Sequence, residues 1–95
     1  MKPHVTIVIV SYNSALHIEE CLLSMLNQSY TNYELLIIDS NSSDNTLAIV
    51  STKFPSIQLI ASTENLGYRR GNRLGMRMAK GDYVVVCNDD GVVDY

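Results

Sequence analysis

Asn88, Asp89 and Asp90 stand in a row directly after an apolar run. Two carboxylates and an amide at the end of a strand offer hard oxygen ligands. Mg2+ or Mn2+ takes one or two carboxylates and fills its other positions with phosphate and water. A cation held this way would neutralise a diphosphate leaving group. The same residues before Gly91 also fit a plain acidic turn. Three more polar clusters follow apolar runs: Ser11-Tyr12-Asn13, Asp39-Ser40-Asn41 and Glu64-Asn65-Leu66-Gly67. An acid at the tip of a second strand, as Asp39 is, is where a dinucleotide fold binds a ribose. The glycine-rich turn of that fold is missing, because Ser11-Tyr12-Asn13-Ser14 contains no glycine. A Walker A loop is missing too. Nicotinamide and P-loop chemistry are therefore disfavoured.

Five of the seven basic residues, Arg69, Arg70, Arg73, Arg77 and Lys80, fall in one short stretch. Arg69, Arg73 and Arg77 repeat at i, i+4, i+8, which fits a solvated helix face or a local anion site. The net charge of −3 rules out a generally basic nucleic-acid binder, so no nucleic-acid partner is expected. Cys21 and Cys87 lack a CxxC or Cys/His partner and read as small apolar residues of a reducing compartment. His4 and His17 lie away from every cluster. No run approaches the ~18 apolar residues of a membrane span. The start of the chain lacks the apolar core of a signal peptide, so the cytoplasm is the expected location.

The elements that must position these clusters alternate regularly. Residues 5–10 are an almost continuous β-branched run, as a strand buried on both faces requires. Helical spacing follows over 15–28, with Ser14 or Asn13 as its cap. A second strand is predicted over 34–38, a helix over 45–54 closed by Pro55, and a third strand over 57–61. A third helix over 69–79 is weakened by Gly71 and Gly75, and a fourth strand covers 83–87. The order β-α-β-α-β-α-β predicts one α/β domain, a parallel sheet with right-handed crossovers and helices on both faces. With 95 residues and 46% hydrophobic content the chain can bury a core, but only one. All four polar clusters should share the carboxyl rim of that sheet, where ligands of open α/β folds bind.

The ordered set of motifs resembles the inverting family 2 glycosyltransferases. Residues 5–13 resemble their opening strand, and residues 21–30 their first helix and its exit. Residues 34–46, with Asp39 and Ser42-Ser43-Asp44, resemble their second strand and acidic loop. Residues 65–83 resemble their third helix and its lead into strand four, and Asn88-Asp89-Asp90 falls where they carry a D-x-D metal motif. The resemblance covers essentially the whole chain. It implies the Rossmann-like, nucleotide-binding half of a GT-A fold over residues 1–95, with an Mg2+ or Mn2+ cofactor. It also implies a nucleotide-diphospho-sugar partner linked to UDP, GDP or dTDP, and a part in cell-surface polysaccharide biosynthesis.

Carried over residue by residue, Ser11, Tyr12 and Asn13 line the nucleotide pocket and Asp39 hydrogen-bonds the base or ribose. Asn65, Gly67, Asn72 and Arg73 approach the donor from the third helix. Asn88 and Asp89 lie near the ribose, and Asp90 holds the metal. Two residues depart from the family pattern. Asn88 stands where the motif begins with Asp, as in rhamnosyltransferase-like relatives, and Asn72-Arg73 reverses the common Arg-Asn order. The family's general base is an acid further downstream, so no catalytic base is expected within the chain. The alternative reading is a nucleotide-binding module with no turnover of its own. A nucleotidyltransferase is disfavoured by the missing glycine-rich loop, and a non-binding remnant is the remaining rival. Val84, Val86, Val92 and Val93 are expected to be exposed beside an open sheet edge, which predicts a homo-oligomer.

Overall fold

The computed structural model describes residues 5–27 and 32–88, with only the backbone at Asn88. The elements are β1 (Val5–Ser11), α1 (Ile18–Leu26), β2 (Tyr33–Asp39), α2 (Thr46–Lys53), β3 (Gln58–Ala61), α3 (Gly67–Met78) and β4 (Tyr83–Asn88). The predicted alternation holds throughout. The four strands form one sheet in the order β3-β2-β1-β4, and every pairing is parallel.

The β-branched run of β1 has its physical reason here. β1 lies between β2 and β4, and both of its faces are covered. Ile7 and Ile9 join Leu35 and Ile37 of β2 beneath α1 and α2, with Ile18, Cys21, Leu22, Met25 and Val50 supplied by the helices. Val8 and Val10 join Leu36 and Ile38 on the other face, under Leu66, Leu74 and Met78. Neither face of β1 can therefore carry a polar residue, except at the strand's ends.

Two local expectations change. α1 starts at Ile18, and residues 15–17 form a turn in which the Ser14 carbonyl accepts from the His17 and Ile18 amides, at 2.9 and 2.8 Å. The position before the helix is His17, with no side-chain cap, so neither Ser14 nor Asn13 caps α1 as predicted. Gly71 and Gly75, expected only to weaken α3, also have a packing task. A Cβ on Gly71 would lie 2.8 Å from Val10 Cγ1, and one on Gly75 would lie 2.4 Å from Val8 Cγ1. Their missing side chains let the α3 backbone sit directly on β1.

At the amino end of the sheet, the buried Thr6 hydroxyl donates to Glu34 Oε2 at 2.6 Å and accepts from the Gly81 amide at 2.9 Å. Glu34 Oε2 also accepts from the Lys80 amide at 2.8 Å. This ties the turn before β4 onto β1 and β2. Among the described residues β4 is an edge strand, and Val84 and Val86 are exposed as expected. Val92 and Val93 lie outside the described residues. Among the described residues, no helix is long and apolar enough to cross a membrane.

The glycines should separate by what their Cβ would meet. Gly81→Ala would drive a methyl to 2.6 Å from the Thr6 backbone nitrogen, and Gly75→Ala would press on buried Val8. Each should cost about 1–3 kcal/mol. Gly67, at φ +71° with nothing near its absent Cβ, should lose only the roughly 1–2 kcal/mol of a left-handed residue. Urea midpoints of the three variants would rank them, and an unchanged midpoint for Gly81→Ala would contradict the close approach.

Candidate functional site

Parallel strands deliver their carboxyl ends to one rim. Ser11 pairs with Asp39, Asp39 with Ala61, and Val10 with Asn88, so the carboxyl ends of all four strands lie side by side. The rim is organised around Asp39, which is fully buried. Its Oδ1 accepts from the Ser11 and Ser42 hydroxyls, each at 2.7 Å, and its Oδ2 accepts from the Ser42 amide at 2.9 Å. A buried carboxylate without such donors would be strongly unfavourable. It has about four acceptor positions. Three are filled from within the chain, which leaves capacity at Oδ2.

The first two rim loops are tied to each other by crossed hydrogen bonds. Asn13 takes a left-handed backbone at φ 47°, which asparagine tolerates better than most residues. From there its Oδ1 accepts from the Ser43 and Asp44 amides at 2.8 and 3.3 Å, while its own amide donates to Ser42 Oγ at 2.9 Å. The Ser14 amide donates to Thr46 Oγ1 at 2.8 Å, and the Ala15 amide donates to Asp44 Oδ2 at 3.1 Å. Asp44 Oδ1 accepts from both the amide and the hydroxyl of Thr46, which opens α2. Burial opposes the charge on Asp44, but the bonds from Thr46 and Ala15 outweigh it and hold the carboxyl below the usual aspartate value.

The third loop is fastened by Ser40, buried just past the end of β2. Its hydroxyl donates to Asn65 Oδ1 at 3.0 Å and accepts from the Leu66 and Gly67 amides at 2.6 and 3.2 Å. Asn65 Oδ1 also accepts from the Gly67 amide at 3.0 Å. The start of α3 is thus capped by a residue far away in sequence. Arg70 folds back over this loop, donating to the Leu66 and Asn65 carbonyls and lying 3.6 Å from Glu64.

The rim therefore brings together Ser11, Asn13, Asp39, Asn65 and Gly67, with Tyr12 exposed on the first loop. Asn72 lies on α3, where its Oδ1 is buried with no hydrogen-bond partner. Arg73 is exposed on α3 and is not drawn into the loop network. The backbone of Asn88 reaches the rim beside Val10. Asp89 and Asp90 lie outside the described residues, among which no cluster of His, Cys, Asp and Glu could hold a metal. Ser40 and Ser42 were legible only as loop formers. Their role needs partners 25 or more residues away, for Ser40, and across to Asn13 for Ser42.

Residues 6–95 match the family described as Glycosyl transferase family 2. An uncharacterized glycosyltransferase of Haemophilus influenzae is 31% identical over 94 residues, which cover 96% of this chain and 38% of that protein. The mannosyltransferase PcManGT of Pyrobaculum calidifontis, solved with GDP-Man and Mn2+, matches with a TM-score of 0.86 at 29% identity, over 100% of this chain and 30% of that one. S. aureus TarS 1-349, solved with UDP-GlcNAc, matches with a TM-score of 0.80 at 26% identity, over 92% of this chain and 26% of that one. The chain spans well under half the length of each. The four-stranded parallel sheet is the expected Rossmann-like, GT-A arrangement.

Asp44 supplies a pH test of the loop network. Its folded-state value is lowered from 3.8, so the charged form contributes stability at higher pH. That contribution is fully present above 3.8 and is lost as pH falls through the lowered folded value. Asp44→Asn should flatten this part of the acid limb in a plot of thermal midpoint against pH. An acid limb identical to that of the parent would show that Asp44 is not held by Thr46 and Ala15.

Proposed function

The chain belongs to glycosyl transferase family 2, and from that premise we propose that it forms the donor-binding part of an enzyme that moves a sugar from a nucleotide-diphospho-sugar to an acceptor hydroxyl. The observation that carries this reading is the convergence of three mutually fastened loops on one rim around Asp39. Relatives of the same fold hold GDP-Man with Mn2+ and UDP-GlcNAc.

In this reading the exposed Tyr12 ring packs against the base or ribose of the nucleotide. Asp39, buried beneath the rim, acts on the nucleotide by holding Ser11 and the Ser42 loop in place. Asn13 shapes the wall, since its amide oxygen is already engaged by Ser43 and Asp44. Asn65 and Gly67 bound the pocket from the start of α3, and the unpaired Oδ1 of Asn72 offers an acceptor to the ligand. Arg73, pointing away from the loop network, is left out of this set. Asn88 and Asp89 flank the ribose, and Asp90 is the proposed ligand of Mg2+ or Mn2+. Such a cation, when bound, supplies positive charge to the departing diphosphate.

The acceptor hydroxyl attacks the anomeric carbon with inversion, the bond from that carbon to the diphosphate oxygen breaks, the nucleoside diphosphate leaves, and the hydroxyl proton passes to a base. We assign that base and the acceptor contacts to residues other than these 95. Nucleotide-sugar chemistry of this kind suits the cytoplasm, and Cys21 and Cys87, both free thiols, fit a reducing compartment. Burial pushes the Cys87 thiol up, away from the reactive thiolate. The β4 edge, which has no partner strand among the described residues, is assigned to pairing with a second copy, for which light scattering should return the mass of a dimer or larger species. A monomer at high concentration would contradict that pairing.

Binding is the direct test. UDP, GDP or dTDP with Mn2+ should raise the thermal midpoint, since a ligand of the native state alone stabilises it. Asp39→Asn should loosen the Ser11 and Ser42 contacts and weaken the nucleotide about tenfold to a hundredfold with or without metal, the scale of losing a hydrogen bond to a charged group. Asp90→Ala should remove only the Mn2+-dependent part, as read by calorimetric titration with Mn2+ and with EDTA. No response to any of the three nucleotides would overturn the reading.

A further inference from the structure

On the outward face of α3, Arg69, Arg73 and Arg77 take no part in the hydrogen bonds of the rim loops. Gly71 and Gly75 fix the orientation of this helix, because both press on β1. Arg69, Arg73 and Arg77 are offset from these glycines by two residues, which at 100° per residue turns them to the side facing away from the sheet. All three are exposed, and none has an ion pair or side-chain hydrogen bond among the described residues. They form a straight cationic row about 12 Å long, and exposed Lys80 follows just past its end. Arg70 is set apart from the row by its bonds to Leu66, Asn65 and Glu64.

The chain as a whole is acidic, so distance decides whether this row acts as a positive surface. Glu19 and Glu20 belong to α1, which packs on the opposite face of the sheet. The shortest dimension of the molecule is 22 Å. That exceeds two Debye lengths at physiological ionic strength, where one is about 8 Å. The acids of the far face are therefore screened from anything that touches α3. On the near side, among the described residues, Glu64 is engaged by Arg70, Glu34 is partly buried under Thr6 and Lys80, and exposed Asp82, beyond Lys80, is one acid against the four cations of the face.

Apolar groups border the row. Tyr68 and Met76 are each 51% exposed. Both sit on the flank of α3 between the arginines and the glycines. A polyanion in water would need the cations alone. A cationic row with apolar side chains at its margin fits a surface that is charged outside and apolar just beneath. We propose that this face of α3 docks on an anionic lipid surface, with Arg69, Arg73, Arg77 and Lys80 at the headgroups and Met76 and Tyr68 reaching below them. α3 starts at the rim loops and runs back along the sheet, so docking by this face would leave the rim at the margin of the contact, open to water.

Flotation with lipid vesicles tests this on the chain itself. It should float with vesicles of phosphatidylcholine and phosphatidylserine, stay behind with phosphatidylcholine alone, and be released by added salt. The triple variant Arg69→Gln/Arg73→Gln/Arg77→Gln should lose roughly fivefold in partitioning per arginine, on the order of a hundredfold in all. The triple lysine variant should keep most of the binding, which separates loss of charge from loss of fold. Equal binding to both vesicle types, unchanged binding of the glutamine variant, or binding to single-stranded RNA but not to vesicles would each overturn the proposal.

Discussion

A carboxylate with no access to water must find its donors within the chain, and the rim of this sheet is arranged to supply them to Asp39. Ser11 comes from β1 and Ser42 from the loop after β2, so one acid joins two loops that are far apart in sequence. The arrangement is exacting because Asp39 also anchors β3, its carbonyl accepting the Ser62 amide at 2.9 Å. With those loops immobilised, the neighbouring backbone can take left-handed turns at Asn13 and Asn41. Ser40 then extends the same fastening to α3. Three of the rim's loops are thus fastened by bonds within the chain.

α3 meets two demands that a single helix rarely meets together. On its inner side it must approach β1 closely, and only glycine at 71 and 75 leaves room for the valines beneath. On its outer side it presents exposed arginines. Its apolar content is confined to Leu74 and Met78 against the core and to Met76 and Tyr68 on the flank. A helix with three glycines in twelve residues draws little stability from its own propensity. It depends on its contacts with β1 and β2, and on the Ser40 cap, to stay folded.

The strand-helix alternation was legible because β1 and β2 are buried on both faces, and such strands read as unbroken apolar runs whatever surrounds them. The rim followed from that alternation, because parallel strands share one direction. Boundaries were less legible. α1 begins three residues after the predicted start because Ser14 uses its carbonyl in a turn and its amide on Thr46. Asn13 looked like a helix cap by type, yet its side chain is taken by Ser43 and Asp44, some 30 residues away. Local rules rank caps by residue type and do not see such competitors.

Residue types and spacing by themselves determined the α/β class, the order of the elements, the shared rim and the residues on it. These depend on periodicity and chain direction, which are local properties. Only the tertiary structure decided what those residues do for one another: that Asp39 is sealed and triply bonded, that Ser40 caps a helix beyond β3, and that Arg73 faces outward. The same holds for the close approach of Gly71 and Gly75 to β1. Each of these is a choice of partner between segments distant in sequence, and a hydrogen bond or steric contact exists only once packing has brought both groups within reach.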